Sequence, residues 1–214
     1  MFGRKKIVTM KPIKKLPHGT VRHELHIKIK DGVNKGDILH AVKCPPGQNI
    51  NDWVAVNCFD LFNEINLTYS SITALCTTTR CPVMNAGPKM EYVWIENNKS
   101  VKLSAPEYCE KLFTWVQNCF DDTSIFPAEF TSKPPKQFAE TVRKIFKRLF
   151  RVYAHMFYNH MEHLEQLGIQ GIALRGFKHF YAFCRQYKML GKEDVVPLHS
   201  LVEDLDKEFG FKSL

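Results

Sequence analysis

The 214-residue sequence predicts a mainly α-helical domain, a bundle of long antiparallel helices that carries one short β-hairpin. Three observations lead to that class. Apolar residues recur at spacings of three and four over several long stretches, the period of one buried helix face. A single segment near residues 90–103 reads as strand, turn and strand. Proline and glycine clusters fall between these segments and punctuate them. The apolar content of 44% and charged content of 24% are ordinary for a globular chain, and the length suits one generous domain.

The elements follow in order. Residues 1–19 are basic and contain Pro12, Pro17 and Gly19, so they are expected to be a flexible arm ahead of a helical domain over 20–214. Residues 20–50 show no clear element, because Gly32, Gly36 and Pro45-Pro46-Gly47 interrupt any long one. From Asn51 onward, Val54, Cys58, Leu61, Phe62, Ile65, Tyr69 and Ile72 mark a helix with one buried face. Residues 76–89 contain two Cys, two Pro and a Gly and read as a loop. Met90–Trp94 and Val101–Leu103 flank Glu96-Asn97-Asn98-Lys99 as a hairpin. Ser104-Ala-Pro-Glu107 is a capping box that opens a second helix, and Asp121-Asp122 closes it. Pro134-Pro135 precedes the longest helical run, about 136–167, and two further helices are expected over 172–189 and 197–209.

The net charge of +8 suggests nucleic acid at first sight. Its distribution argues against that. Residues 1–30 hold nine Lys/Arg and one acid, Glu24, whereas residues 31–214 balance 21 basic against 21 acidic side chains. The basicity is a tail, not a binding face, so a nucleic-acid-binding role is expected only if the tail alone provides it. No run approaches the roughly 18 apolar residues of a membrane span. Seven Cys, with no apolar signal core after Met1, point to a reducing compartment, the cytoplasm or alternatively the nucleus.

Cys76 and Cys81 have four residues between them, and His155 and His160 repeat that spacing. Paired thiolates and paired imidazoles are the donor set of a closed tetrahedral zinc site. The 73 residues between the pairs exclude a small zinc-finger module; a metal here would staple a loop to a helix. Positions five apart on an ideal helix point about 140° away from each other. His155 and His160 can therefore share a metal only if the helix loosens or ends near 160, and His160 with His163 is a competing pair. Cys44, Cys58, Cys109, Cys119 and Cys184 read as buried apolar residues. Two Cys and two His leave no open coordination position, and none of the common catalytic motifs is present, so no catalysis is expected.

Two further groups stand out. Arg143, Lys147 and Arg151 fall at i, i+4 and i+8, with Lys144 and Arg148 beside them, and only Glu140 is close enough in sequence to neutralise them. This is either a solvated helix face or a phosphate-binding surface for a phosphoserine or phosphothreonine. Asp52, Asp60 and Glu64 make the first long helix mildly acidic. Trp53 at its start is a core residue or, if partly exposed, an interface anchor.

Five segments together resemble the Mob (Mps one binder) family of kinase co-activators: DWVAVNCFDLFNEINLTY, CTTTRCPVMNAGPKMEYVW, LSAPEYCEKLFTWVQNCFDD, KRLFRVYAHMFYNH and FKHFYAFCRQYKML. The resemblance spans roughly residues 8–208. It implies one helical domain around a four-helix core, with one structural zinc on Cys76, Cys81, His155 and His160. It also implies no catalysis, but binding and activation of NDR/LATS-class kinases through their N-terminal regulatory segment. In the subgroup that fits best, a phosphorylated segment of an upstream Hippo/MST-type kinase docks on residues corresponding to Lys147, Arg148 and Arg151. The kinase-facing positions correspond to Asp52, Trp53 and Asp60. Thr9 matches a threonine that upstream kinases phosphorylate. A second such threonine is missing, since Lys30-Asp31-Gly32 has no hydroxyl there, and Gln48 and Asn49 stand where the family often has acids. Within the family, the runner-up role is a scaffold in a phosphatase–kinase assembly.

Overall fold

The computed structural model describes residues 16–34, 36–130 and 133–214. Its elements are α1 (Val21–Asn34), α2 (Ile38–Ala41), α3 (Ile50–Ser70), β1 (Val93–Glu96), β2 (Lys99–Lys102), α4 (Ala105–Asp121), α5 (Phe138–Asn159), α6 (Met161–Gln166), α7 (Gln170–Gln186), α8 (Lys192–Val195) and α9 (His199–Phe209). A 3-10 turn, Val196–Leu198, joins the last two. The chain is mainly helical with a two-stranded antiparallel sheet, as its periodicity predicts.

The centre is α3. Fourteen of its 21 residues are buried, more than one face, because α1, α5 and α7 all pack on it. Asn49 caps its start by accepting from the Asn51 N–H at 2.8 Å, and its own amide donates to the Phe130 carbonyl. α4 packs on α5, and its capping box is formed reciprocally by Ser104 and Glu107. Aromatic side chains fill the gaps: Phe62 meets Phe113 edge-on at 5.7 Å between α3 and α4, and Phe146 stacks on Phe183 at 5.2 Å between α5 and α7. Cys58, Cys109, Cys119 and Cys184 lie in this core, while Cys44 is half-buried.

Three elements differ from the sequence expectation. Residues 21–34 form a helix despite Gly32. That glycine sits where a Cβ would lie 2.8 Å from the Ala41 Cβ, so it is a packing position that lets α1 lie against α2, not a breaker. The expected run over 136–167 is two helices, because the backbone at His160 leaves helical geometry (φ −134°, ψ 14°) and α6 starts anew. The hairpin turns where expected, but its strands run two residues further into the turn, to Glu96 and from Lys99, with Asn97 and Asn98 at φ 49° and 60° in the left-handed region that a two-residue turn requires. Thr9 and most of the 1–19 arm lie outside the described residues. Leu16, at the arm's end, packs on the core.

Candidate functional site

The break at His160 brings the two histidines together. His155 is the last turn but one of α5; His160 follows the helix end, and its ring turns back beside that of His155 at 5.2 Å. Opposite them, the loop after α3 holds its cysteines by backbone bonds: Cys76 N–H to the Ile72 carbonyl, Cys81 N–H to the Thr77 carbonyl, and Ala105 N–H to the Cys81 carbonyl, all at 2.8–3.0 Å. The same loop lies against α5 at Gly87 (φ +87°), where a Cβ would collide with the Tyr158 ring.

The donor atoms of Cys76, Cys81, His155 and His160 all lie within 4.8 Å of one another, and all four residues are buried. Each sulfur lies 3.4 Å from an Nε2, Cys76 from His155 and Cys81 from His160. A zinc tetrahedron with bonds of roughly 2.3 Å to sulfur and 2.0–2.1 Å to nitrogen sets its S and N corners about 3.6 Å apart. The two S–N distances and the donor set therefore fit a metal of that size and preference. His155 Nδ1 donates to the Asn85 carbonyl at 2.8 Å, and Asn159 donates to the same carbonyl at 3.2 Å; this fixes the tautomer that leaves Nε2 as the free lone pair. Burial depresses both imidazoles, His160 to about 4 with help from neighbouring His155, His163 and Arg80, so both are neutral donors at pH 7. Burial pushes the Cys76 thiol up to about 12 when no cation offsets it. His163 lies beside His160, Nδ1 to Nδ1 at 3.3 Å, and is not in the cluster.

The basic stripe of α5 lines a second feature, a cavity of about 400 Å³ between α5 and β1. Arg148 lies against two indoles, its guanidinium carbon 4.3 Å from the Trp94 ring and 4.5 Å from the Trp115 ring. Among the described residues none of its N–H groups donates to a protein acceptor. Burial lowers its pKa from the usual arginine value, and the neighbouring Arg151 cation adds to that. Arg151 lies over the Tyr92 ring at 5.2 Å and donates to the Tyr108 hydroxyl at 3.1 Å. The Tyr92 hydroxyl is buried without a partner among the described residues. Lys147 is neutralised from a distant part of the chain: its ammonium lies 2.7 Å from Asp194 and 3.6 Å from Glu193, whereas Glu140 pairs with Lys144. Glu140 is the neutralising acid close in sequence, and the fold adds Asp194 and Glu193 from far along the chain. The two tryptophans, the two tyrosines and Asp194 were missed because each reads from sequence as core or as an isolated surface charge.

The three acidic-helix positions separate. Trp53 is 2% exposed and its indole N–H donates to the Val42 carbonyl at 3.0 Å, which makes it core. Asp52 is buried and pairs with Arg22 at 3.3 Å, tying α1 to α3. Asp60 alone reaches an accessible surface. It accepts from His26 Nδ1 at 2.7 Å and, with Phe59, Ile29 and His179, lines a cavity of about 550 Å³ between α1 and α3.

The Mob1/phocein family model matches residues 30–198. The chain belongs to the Mob1/phocein family. Among curated Mob relatives, it is 41% identical over 209 residues to the MOB kinase activator-like 1 homolog C of Dictyostelium discoideum, covering 96% of both chains. It is 44% identical over 210 residues to homolog B of the same organism, covering 97% of both. With MOB kinase activator-like 1B of Arabidopsis thaliana it shares 39% identity over 200 residues, covering 92% of this chain and 93% of that one. Among the described residues of this Mob chain no helix is long and apolar enough to cross a membrane.

Proposed function

We propose that this Mob protein is a non-enzymatic adaptor that binds the N-terminal regulatory segment of an NDR/LATS-class Ser/Thr kinase and activates it. The observation that carries the reading is family membership, with end-to-end relatives named as kinase activators. An adaptor of this kind works by preferring one conformation of its client, so its effect is bounded by that difference in affinity.

Zinc is the metal that suits Cys76, Cys81, His155 and His160, and when bound it supplies a cross-link between the loop after α3 and the end of α5. The thiols and imidazoles would hold the loop at Cys76–Cys81 against the helix end at His160, and the closed donor set leaves no position for a substrate. Lys147, Arg148 and Arg151 receive a phosphorylated segment of an upstream Hippo/MST-type kinase. Arg148 is held by its faces, which leaves its N–H fork free for phosphate oxygens. Lys147 can join only by sharing or exchanging Asp194. Asp60 offers the negative charge for a basic kinase segment at the α1–α3 cavity, while Asp52, paired with Arg22, and Trp53, bonded to Val42, hold the start of the same helix in place. The basic arm over 1–19, with Thr9 as its phosphorylation site, precedes one domain over 20–214, in the cytoplasm or nucleus.

The test is a calorimetric titration of the protein with an NDR/LATS-class N-terminal segment at moderate salt. Asp60→Lys should weaken binding on the order of tenfold, about 1.4 kcal/mol. Asp60→Asn, which can keep the His26 hydrogen bond, separates charge from packing. No binding by the wild type removes the proposal, and unchanged affinity of Asp60→Lys removes this surface.

A further inference from the structure

The cavity beside Arg148 has a second wall that the arginines do not explain. β1 pairs with β2 in the register Val93↔Lys102, Trp94↔Val101, Ile95↔Ser100 and Glu96↔Lys99. A two-residue turn at Asn97-Asn98 makes Glu96 and Lys99 a hydrogen-bonded pair. Antiparallel ladders alternate, so Trp94 and Val101 are bonded as well. Val93 and Ile95 must then point their N–H and C=O groups away from β2. The sheet has two strands, and among the described residues no backbone or side-chain group bonds to that outer edge. Val93 and Ile95 line the cavity together with Lys147, Arg148 and Arg151, so the edge strand and the cations border one space.

An unpaired edge of this kind is a template for another strand, and proteins commonly blunt such edges with Lys, Pro or a bulge. β1 reads Val-Trp-Ile-Glu and has none of these. Ile95, on the face away from Trp94, is 51% exposed. The backbone groups of Val93 and Ile95 and the side chains of two arginines thus address one space. The first offer backbone hydrogen bonds in strand register; the second offer charge for a single dianionic group.

We propose that the phosphorylated segment binds as an extended strand added to the outer edge of β1, with its phosphate on Arg148 and Arg151. This rests on the phosphopeptide reading of the basic cavity given above. The phosphothreonine side chain must point the way Tyr92 and Trp94 point, toward α5. The residues on either side of it then fall on the face of Val93 and Ile95, where apolar or β-branched side chains gain cross-strand contact with Ile95. The site therefore recognises more than phosphate: it selects an extended backbone, and it favours apolar residues flanking the phosphothreonine.

Backbone N-methylation of a bound peptide tests this. The probe is fluorescein-labelled Gly-Ser-Val-phosphothreonine-Val-Ser-Gly, followed by fluorescence anisotropy, with a singly N-methylated version at each Ser, Val and phosphothreonine. Strand addition predicts alternation. Methylation at one parity weakens binding by about tenfold, the loss of one edge hydrogen bond plus its steric cost, and methylation at the other parity leaves affinity unchanged. Sensitivity at the two valines means an antiparallel strand; sensitivity at the phosphothreonine means a parallel one. If the phosphopeptide binds but every methylated version binds equally well, the strand is overturned and the phosphate site stands. If phosphorylated and unphosphorylated peptides bind alike, the phosphate reading falls and takes the strand with it. Dimerisation of the free protein that the peptide cannot dissolve would give the edge to a second copy and also overturn the proposal.

Discussion

Replacing one thiol of the Cys/His cluster isolates what the metal contributes. Cys76→Ser removes a donor that is buried, 3.4 Å from His155 Nε2, and backed by the Tyr69 hydroxyl at 3.5 Å. Cys76 and His155 are 79 positions apart, so a metal bound there would close a long loop of chain. In the chain-entropy treatment of cross-links, a loop of that length contributes about 4.5 kcal/mol at 25 °C. For a domain of this size, 1 kcal/mol moves the melting temperature by about 2–4 °C, so Cys76→Ser should melt on the order of 10–15 °C lower. The assay is scanning calorimetry paired with elemental analysis of the same preparation. Wild type should carry one zinc per chain and Cys76→Ser none. Cys44→Ser, half-buried and outside the cluster, should keep both zinc and melting temperature. A Cys76→Ser protein that loses zinc yet melts with the wild type would refute the staple, and a zinc-free wild type of normal stability would refute the metal.

Other expectations follow from individual contacts. Arg148→Lys keeps the charge but loses the guanidinium's contacts with the Trp94 and Trp115 rings, and should lower phosphopeptide affinity by about tenfold in an anisotropy titration. Gly32→Ala, which would gain helix propensity in an isolated α1, should instead cost about 1–3 kcal/mol in urea unfolding because its methyl meets Ala41. Acid should release the metal and destabilise the fold together. Both cluster imidazoles have folded pKa values below the ordinary 6.5, so the unfolded chain binds more protons as pH falls. Stability present above about pH 6.5 is then lost on the way down to about 4, the folded value for His160. Calorimetric scans across that range read the sign directly, and stability that rises as the pH falls through it would contradict the mechanism.

The helices were legible because their signals are local. The stripe Val142, Ile145, Phe146, Leu149 on α5 and the Ser104 capping box need no knowledge of the rest of the chain. α1 was not legible, because what makes Gly32 acceptable is Ala41, a partner on another element. The same division holds at the sites. Matched spacing pointed to Cys76, Cys81, His155 and His160, and a helix end at residue 160, required for the histidines to converge, is present. Asn85 and Asn159, which orient His155, carry no pattern of their own. On the basic stripe, sequence showed the charges but not their status. Arg148 and Arg151 are held by aromatic faces while Lys147 is tied to Asp194, a distinction set entirely by tertiary neighbours. Trp53 and Asp52 sit on a helix that is buried on more than one side, so helical periodicity alone could not tell which of them faced water.

The most direct test of the adaptor reading is the phosphotransfer rate of a purified NDR/LATS-class kinase, measured with and without this protein at saturating concentration. The account predicts a clear rise in rate with wild type, a smaller rise with Asp60→Lys at equal concentration, and no phosphotransfer by this protein alone. A kinase that binds the protein yet shows an unchanged rate would contradict it.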